Sequence, residues 1–161
     1  MKFELKNIKY CEWKSEETHC YQATLYIDGK PLFLVGNDGY GGPDSIDTFG
    51  NKRWKDAQPM FDKMMKYIKG MPKIKTDWGE MNNDLDIICH DLLVKHLEKR
   101  DMKRNMKTKV LFTKDGSIYT LAFGDRPRQL VLDHIVKRYP KSTILNTLPE
   151  SEAFELWIGN R

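Results

Sequence analysis

The chain has 161 residues, 40% of them hydrophobic and 31% charged, with a formal net charge of +4 and a pI near 8.8. That length suits one domain, 1–161, with a sizeable core, and no apolar run approaches the ~20 residues a membrane helix needs. The basic excess admits an acidic partner but makes a nucleic-acid footprint only if it is clustered, and three cysteines without CxxC spacing indicate neither a disulfide framework nor a four-thiolate zinc site.

The opening Met1-Lys2-Phe3-Glu4-Leu5-Lys6 lacks the apolar core of a secretory signal, so the expected location is the cytoplasm. Phe3 to Trp13 and His19 to Asp28 read as strands, the second with Tyr21, Ala23, Leu25 and Ile27 on one face. Asp28-Gly29 signals a tight hairpin, because Asp and Gly tolerate the positive φ values it needs, and Pro31 to Val35 follows as a third strand. This three-stranded meander runs into Val35-Gly36-Asn37-Asp38-Gly39-Tyr40-Gly41-Gly42-Pro43-Asp44, a glycine-rich loop expected to continue through Phe49-Gly50-Asn51.

Met60, Phe61, Met64, Met65 and Ile68 have helical spacing, with Pro59 placing the start near Gln58 and Gly70 and Pro72 closing the segment. After a lysine-flanked connector, the stripe from Met81 through Leu85, Ile88, Cys89, Leu92, Leu93 and His96 predicts a long helix reaching about Lys103. Lys109 to Thr113 and Ser117 to Phe123 form a second hairpin on Asp115-Gly116. Asp125 and Pro127 open a helix ended by Pro140, Thr143 to Asn146 is a short strand, and Thr147 to Glu150 reads as a capping box for a last helix carrying Phe154, Trp157 and Ile158. The order strand, helix, strand from Ser117 to Asn146 favours a parallel crossover. The fold class is α+β: a mixed, mainly antiparallel sheet packed with about four helices.

In a meander, the connection before the second strand and the loop after the third share one sheet end. Ser15 to His19 and Gly36 to Asp44 are therefore expected side by side, gathering Glu16, Glu17, His19, Asn37, Asp38, Tyr40 and Asp44 as a ligand- or partner-binding edge. Three readings of the loop stand open. Its N–H groups could nest a phosphate; Asp38, Asp44 and Asp47 could hold a divalent cation; or the glycines could simply permit a close turn. Glu16, Glu17 and His19 have the residue types for proton transfer. His19-Cys20 and Cys89-His90 have zinc-ligand types, but neighbours on a strand or helix diverge, so no metal site is assigned. Lys99, Arg100, Lys103 and Arg104 lie in a basic run along the long helix, the alternative nucleic-acid surface, although only Asn105 among them could read a base. No serine elbow, HExxH or phosphate-loop motif occurs, so no catalytic residue and no cofactor is assigned.

The run Ser15-Glu16-Glu17-Thr18-His19-Cys20-Tyr21-Gln22-Ala23-Thr24-Leu25-Tyr26-Ile27-Asp28-Gly29-Lys30 with Asn37-Asp38-Gly39-Tyr40-Gly41-Gly42 resembles small proteins of tailed bacteriophages. Ile144-Leu145-Asn146-Thr147-Leu148-Pro149 and Ala153-Phe154-Glu155-Leu156-Trp157 are similar to the same group. The resemblance implies an accessory protein made in an infected bacterium, acting in the host cytoplasm on host machinery or defences. It brings no agreed activity or catalytic residue. A host protein is the implied partner; a small phosphate-containing ligand and nucleic acid are the alternatives, and no membrane is involved.

Overall fold

Alternation of apolar and polar residues in the first third of the chain produces antiparallel strands, and a computed structural model describing residues 1–159 shows where they go. The protein is α+β, with four α-helices and eight strands among the described residues, all sheets antiparallel. Internal contacts cluster into two units, Met1–Val94 and a second from Lys95 onward. No helix among the described residues is long and apolar enough to cross a membrane.

In the first unit, β1 (Phe3–Tyr10), β2 (Tyr21–Ile27), β3 (Lys30–Asn37) and β4 (Ser45–Thr48) form one sheet in the order β1-β2-β3-β4. The Asp28-Gly29 turn has φ of 49° and 79°, the doubly positive geometry that matches strand twist. Two corrections apply to the expected meander. β1 stops at Tyr10, and Glu12–Lys14 is a 3-10 turn rather than strand. β4 adds a fourth strand inside the expected loop. It has one large apolar residue, Ile46, so no pattern announces it; pairing with the open edge of β3 makes it a strand.

The inner sheet face carries Tyr21, Ala23, Leu25, Ile27, Phe33 and Val35, all buried. Fully burying side chains such as Leu25 and Phe33 contributes about 1.5–3 kcal/mol each. α1 (Trp54–Lys69) sets Trp54 and Phe61 around the Phe33 ring, at centroid distances of 6.1 and 6.0 Å. The helix starts at Trp54, a turn before the expected Gln58. Pro59 removes the bond to the exposed Lys55 carbonyl and crowds that carbonyl, while Trp54 packing and burial of Ala57 hold the first turn. The lysine-flanked connector is a short hairpin, β5 (Ile74–Thr76) and β6 (Gly79–Met81). α2 (Leu85–Thr108) therefore begins after Met81, with Asp84 Oδ1 accepting the Ile87 N–H at 2.8 Å as its cap. Its first turns belong to this unit and bury Leu85, Ile88, Cys89 and Leu93.

In the second unit, β7 (Lys109–Lys114) pairs with β8 (Ser117–Ala122) through a turn with Asp115 and Gly116 at φ 50° and 76°. Leu111 lies in one cluster with Met102 of α2 and with Ala153 and Trp157 of α4 (Glu150–Gly159). Val110 and Phe112 point the other way, to Val131 and Ile135 of α3 (Arg128–Arg138). After α3 the chain returns beside β7, but as an isolated antiparallel bridge from Ile144 to Phe112, not a parallel strand. The Asn146 side chain accepts the Leu111 N–H at 2.7 Å and donates to the Lys109 carbonyl at 3.0 Å, which fixes Leu145–Thr147 as a 3-10 turn. The expected capping box does not form: Thr147 Oγ1 donates back to the Ile144 carbonyl at 2.8 Å. His96, placed on the apolar stripe by its spacing, is exposed.

Candidate recognition rim and adjoining cleft

Opposite the Asp28-Gly29 turn, the β1–β2 connection and the loop after β3 are joined by a dense set of hydrogen bonds. The Gly39 carbonyl accepts three successive N–H groups, from Glu16, Glu17 and Thr18, at 3.1, 2.9 and 3.3 Å. Asn37 ties the loop to itself and to the connection. Its Oδ1 accepts the Thr18 hydroxyl at 2.5 Å and the Gly39 N–H at 2.9 Å, and its Nδ2 donates to the Gly42 carbonyl at 2.8 Å and to Asp44 Oδ1 at 3.0 Å. Gly39 has φ +95°, and a Cβ there would lie 2.0 Å from the Lys14 carbonyl oxygen; at Gly41, φ +88°, it would lie 2.2 Å from Glu17 Oε2. Gly39 is thus required by close approach to backbone as well as by conformation, whereas Gly41 is required by conformation, since the exposed Glu17 carboxylate can move aside.

The structure brings the seven candidate residues to one end of the sheet, but in two groups. Glu16, Glu17, Asp38 and Tyr40 are exposed, whereas His19, Asn37 and Asp44 are half-buried. Asp44 is occupied structurally: it accepts the Tyr21 hydroxyl in a short hydrogen bond as well as the Asn37 amide. Three of the loop's N–H groups are bonded within the rim, Gly39 to Asn37 Oδ1, Tyr40 to Asp38 Oδ1 at 3.3 Å and Gly41 to Thr18 Oγ1 at 3.3 Å. Those three donors are occupied by side-chain acceptors of the rim itself, which compete with any anion the loop could nest. Asp47 accepts the Thr48 N–H at 2.7 Å, and among the described residues no three His, Cys, Asp or Glu side chains are placed to hold a metal.

Beneath the rim lies a cleft of about 280 Å³ whose lining includes His19, Tyr21, Asp44, Asp86 and His90 beside the apolar Ile87 and Leu93. The His19 and His90 rings stack at 5.4 Å with 21° between their planes. Burial, then the neighbouring His90, lowers the His19 pKa below the ordinary 6.5. Asp86 is raised by burial and by the charges of Asp44 and Asp84, against the pull of the Asp44 N–H bonded to it at 3.3 Å. Tyr21 is pushed well above the ordinary phenol by burial, then by Cys89 and Asp44. The Cys89 thiol, fully buried, is pushed up to about 12 by burial and by Asp44.

Sequence reasoning missed Tyr21 and Asp86, and weighed His90 only as a zinc-ligand type beside Cys89. Tyr21 reads as one more apolar inward residue, and its hydroxyl carries no periodic signal. Asp86 and His90 do carry one: they stand four apart on a helix, the spacing that puts two side chains on one face. Trp13, absorbed into an expected strand, stands 79% exposed beside the rim, and Tyr40 is 57% exposed.

In the second unit the basic run is met by carboxylates. Lys99 and Lys103 bind the two oxygens of Glu150 at 2.6 and 2.7 Å, and Arg100 and Arg104 approach Asp101 Oδ1 at 3.6 and 3.5 Å. The two lysines hold Glu150 below the usual carboxylate range. Trp157 Nε1 donates to Glu98 at 2.8 Å along the same helix.

The chain matches no family model, no curated protein and no solved structure.

Proposed function

We propose that this chain is a non-catalytic binding protein of the bacteriophage accessory kind, engaging a host protein through the rim formed by residues 12–20 and 37–44. The observation that carries this reading is the combination of a hydrogen-bonded, glycine-shaped backbone with exposed Trp13, Tyr40, Glu16, Glu17 and Asp38. A rim already ordered before binding loses little entropy on association, and large aromatic anchors flanked by charge are the usual composition of binding hot spots. The phage setting and the host cytoplasm rest on the sequence resemblance alone.

The test is affinity capture from infected-cell lysate on immobilised wild type, on a Trp13→Ala/Tyr40→Ala variant and on a Lys141→Ala control. The expected result is a partner recovered by wild type and control and lost by the rim variant at unchanged melting temperature. Equal recovery by all three removes the rim from the account.

A second reading is favoured by the cleft beneath the rim: a small ligand held between His19, His90, Asp44 and Asp86. Ligand at a hundredfold its dissociation constant adds about 2.7 kcal/mol of stability, so a thermal-shift panel of small amines, nucleotides and divalent ions tests it. A phosphate-ligand reading of the loop, with proton transfer by Glu16, Glu17 or His19, has thinner support because the loop donors are occupied. Nucleic-acid binding through Lys99, Arg100, Lys103 and Arg104 has to compete with Glu150 and Asp101, and it predicts affinity falling steeply with salt.

A further inference from the structure

Two cysteines stand opposite each other in register where β1 ends and β2 begins. Tyr10 is in register with Tyr21, and the ladder continues one step further, the Cys11 N–H donating to the Cys20 carbonyl at 2.9 Å. Directly opposed residues of antiparallel strands carry their side chains on the same face, with Cα atoms ~5.5 Å apart in a hydrogen-bonded pair. A disulfide requires Cα atoms ~4.4–6.8 Å apart. Both cysteines are free, half-buried, and line the same groove of about 460 Å³ beside Trp13 and Tyr40. The return bond of the ladder is absent: the Cys20 N–H goes instead to Ser15 Oγ at 2.9 Å, and that hydroxyl donates to the Cys11 carbonyl at 2.9 Å. One ladder bond and a serine bridge leave the pair more freedom to adjust than two ladder bonds do. Cys89 offers the contrast, fully buried on its helix.

We propose that Cys11 and Cys20 are a reversible thiol–disulfide pair that exchanges with low-molecular-weight disulfides such as oxidised glutathione. The thiolate of one cysteine attacks the glutathione disulfide, giving a protein–glutathione mixed disulfide and releasing one glutathione thiolate. The second cysteine, as its thiolate, attacks the protein sulfur of the mixed disulfide, forming the Cys11–Cys20 bond and expelling the second glutathione. Two protein thiols are oxidised, one glutathione disulfide is reduced, and the two protons end on the released glutathione thiols. The bond closes beside the loop, since a Cβ at Gly39 would lie 3.0 Å from the Cys20 Cβ. Oxidation therefore staples the two strands at the base of the rim, a chemistry that stands whether or not the rim binds a partner.

The experiment equilibrates the reduced full chain in glutathione buffers of graded oxidised-to-reduced ratio, quenches with acid, and counts thiols after denaturation. Trypsin cleavage after Lys14 separates Cys11 from Cys20 for non-reducing peptide mass spectrometry. The expected result is a fall from three free thiols to one across a single transition, with the Cys11 and Cys20 peptides joined and Cys89 free. Cys11→Ser and Cys20→Ser should each leave only a glutathione adduct on the remaining partner. Three thiols at every ratio, adducts on both cysteines with no joined peptide, or a link involving Cys89 would each overturn the proposal.

Discussion

The Thr18 hydroxyl donates to the Asn37 side-chain carbonyl at 2.5 Å, and through this bond two chain segments nineteen residues apart become one edge. Asn37 serves both sides of that edge, because the same oxygen also accepts the Gly39 N–H while the amide end reaches Gly42 and Asp44.

Asn37→Ala removes all four of these contacts and leaves partly buried groups without partners. The expected cost is about 2–3 kcal/mol in urea unfolding, with an unchanged denaturant slope. A loss below about 0.5 kcal/mol, the range of ordinary surface changes, would mean the loop is held by something else.

Gly39→Ala should cost more than Gly42→Ala, by at least about 2 kcal/mol. At Gly39 a Cβ meets the Lys14 carbonyl at 2.0 Å on a backbone with φ +95°, whereas at Gly42 nothing lies within 4 Å. Equal unfolding midpoints for the two variants would contradict the packing of loop on connection.

Tyr21 donates to Asp44 and is buried, so its phenol should stay neutral at a pH where a free phenol, pKa about 10, is ionised. In an ultraviolet titration of the native protein, Tyr21→Phe should leave the number of phenols ionising below pH 11 unchanged. A loss of one titrating phenol in the variant would place Tyr21 in water. The same substitution should lower stability by about 1–2 kcal/mol, because Asp44 loses the Tyr21 hydroxyl and keeps only the Asn37 amide.

Stability should fall as the pH drops through the histidine range. His19 has a folded pKa below its unfolded value, so the unfolded chain takes up the proton first. The loss begins near the ordinary 6.5 and is complete only below the lowered folded value. His96, exposed overall but lowered by partial desolvation and then by Arg100 and Lys99, acts in the same direction. Asp86 acts in the opposite sense and at lower pH, because its folded pKa is raised from 3.8. His19→Asn should therefore flatten the melting temperature between pH 7.5 and 5.5 relative to wild type. An unchanged slope would show that His19 is not the desolvated group.

The positions of the hairpins were legible because Asp28-Gly29 and Asp115-Gly116 leave few other conformations, and the adjacency of the two rim segments followed from meander topology alone. What the pattern could not carry was structure made by pairing rather than by propensity. β4 and the β5–β6 hairpin are three or four residues each and lack alternation. Pro59 misled in the other direction, since its local penalty was outweighed by the packing of Trp54 on Phe61, at 5.5 Å, and on Phe33. At the site, exposed polar residues of the rim were readable, but the division of labour was not. Asp44 reads as one more loop carboxylate and is a half-buried clamp for Tyr21; Trp13 reads as a strand residue and is one of the most exposed aromatic rings.

The central claim, that the two connections form one edge before any partner arrives, is tested most directly by backbone hydrogen exchange of the free protein at Glu16, Glu17, Thr18, Gly39 and Gly41. The account predicts protection at all five amides comparable to the ends of β2 and β3, falling together in Asn37→Ala. Exchange at unstructured-chain rates in the wild type would contradict it, because the loop and the connection would then be separate mobile segments and no preformed edge would exist.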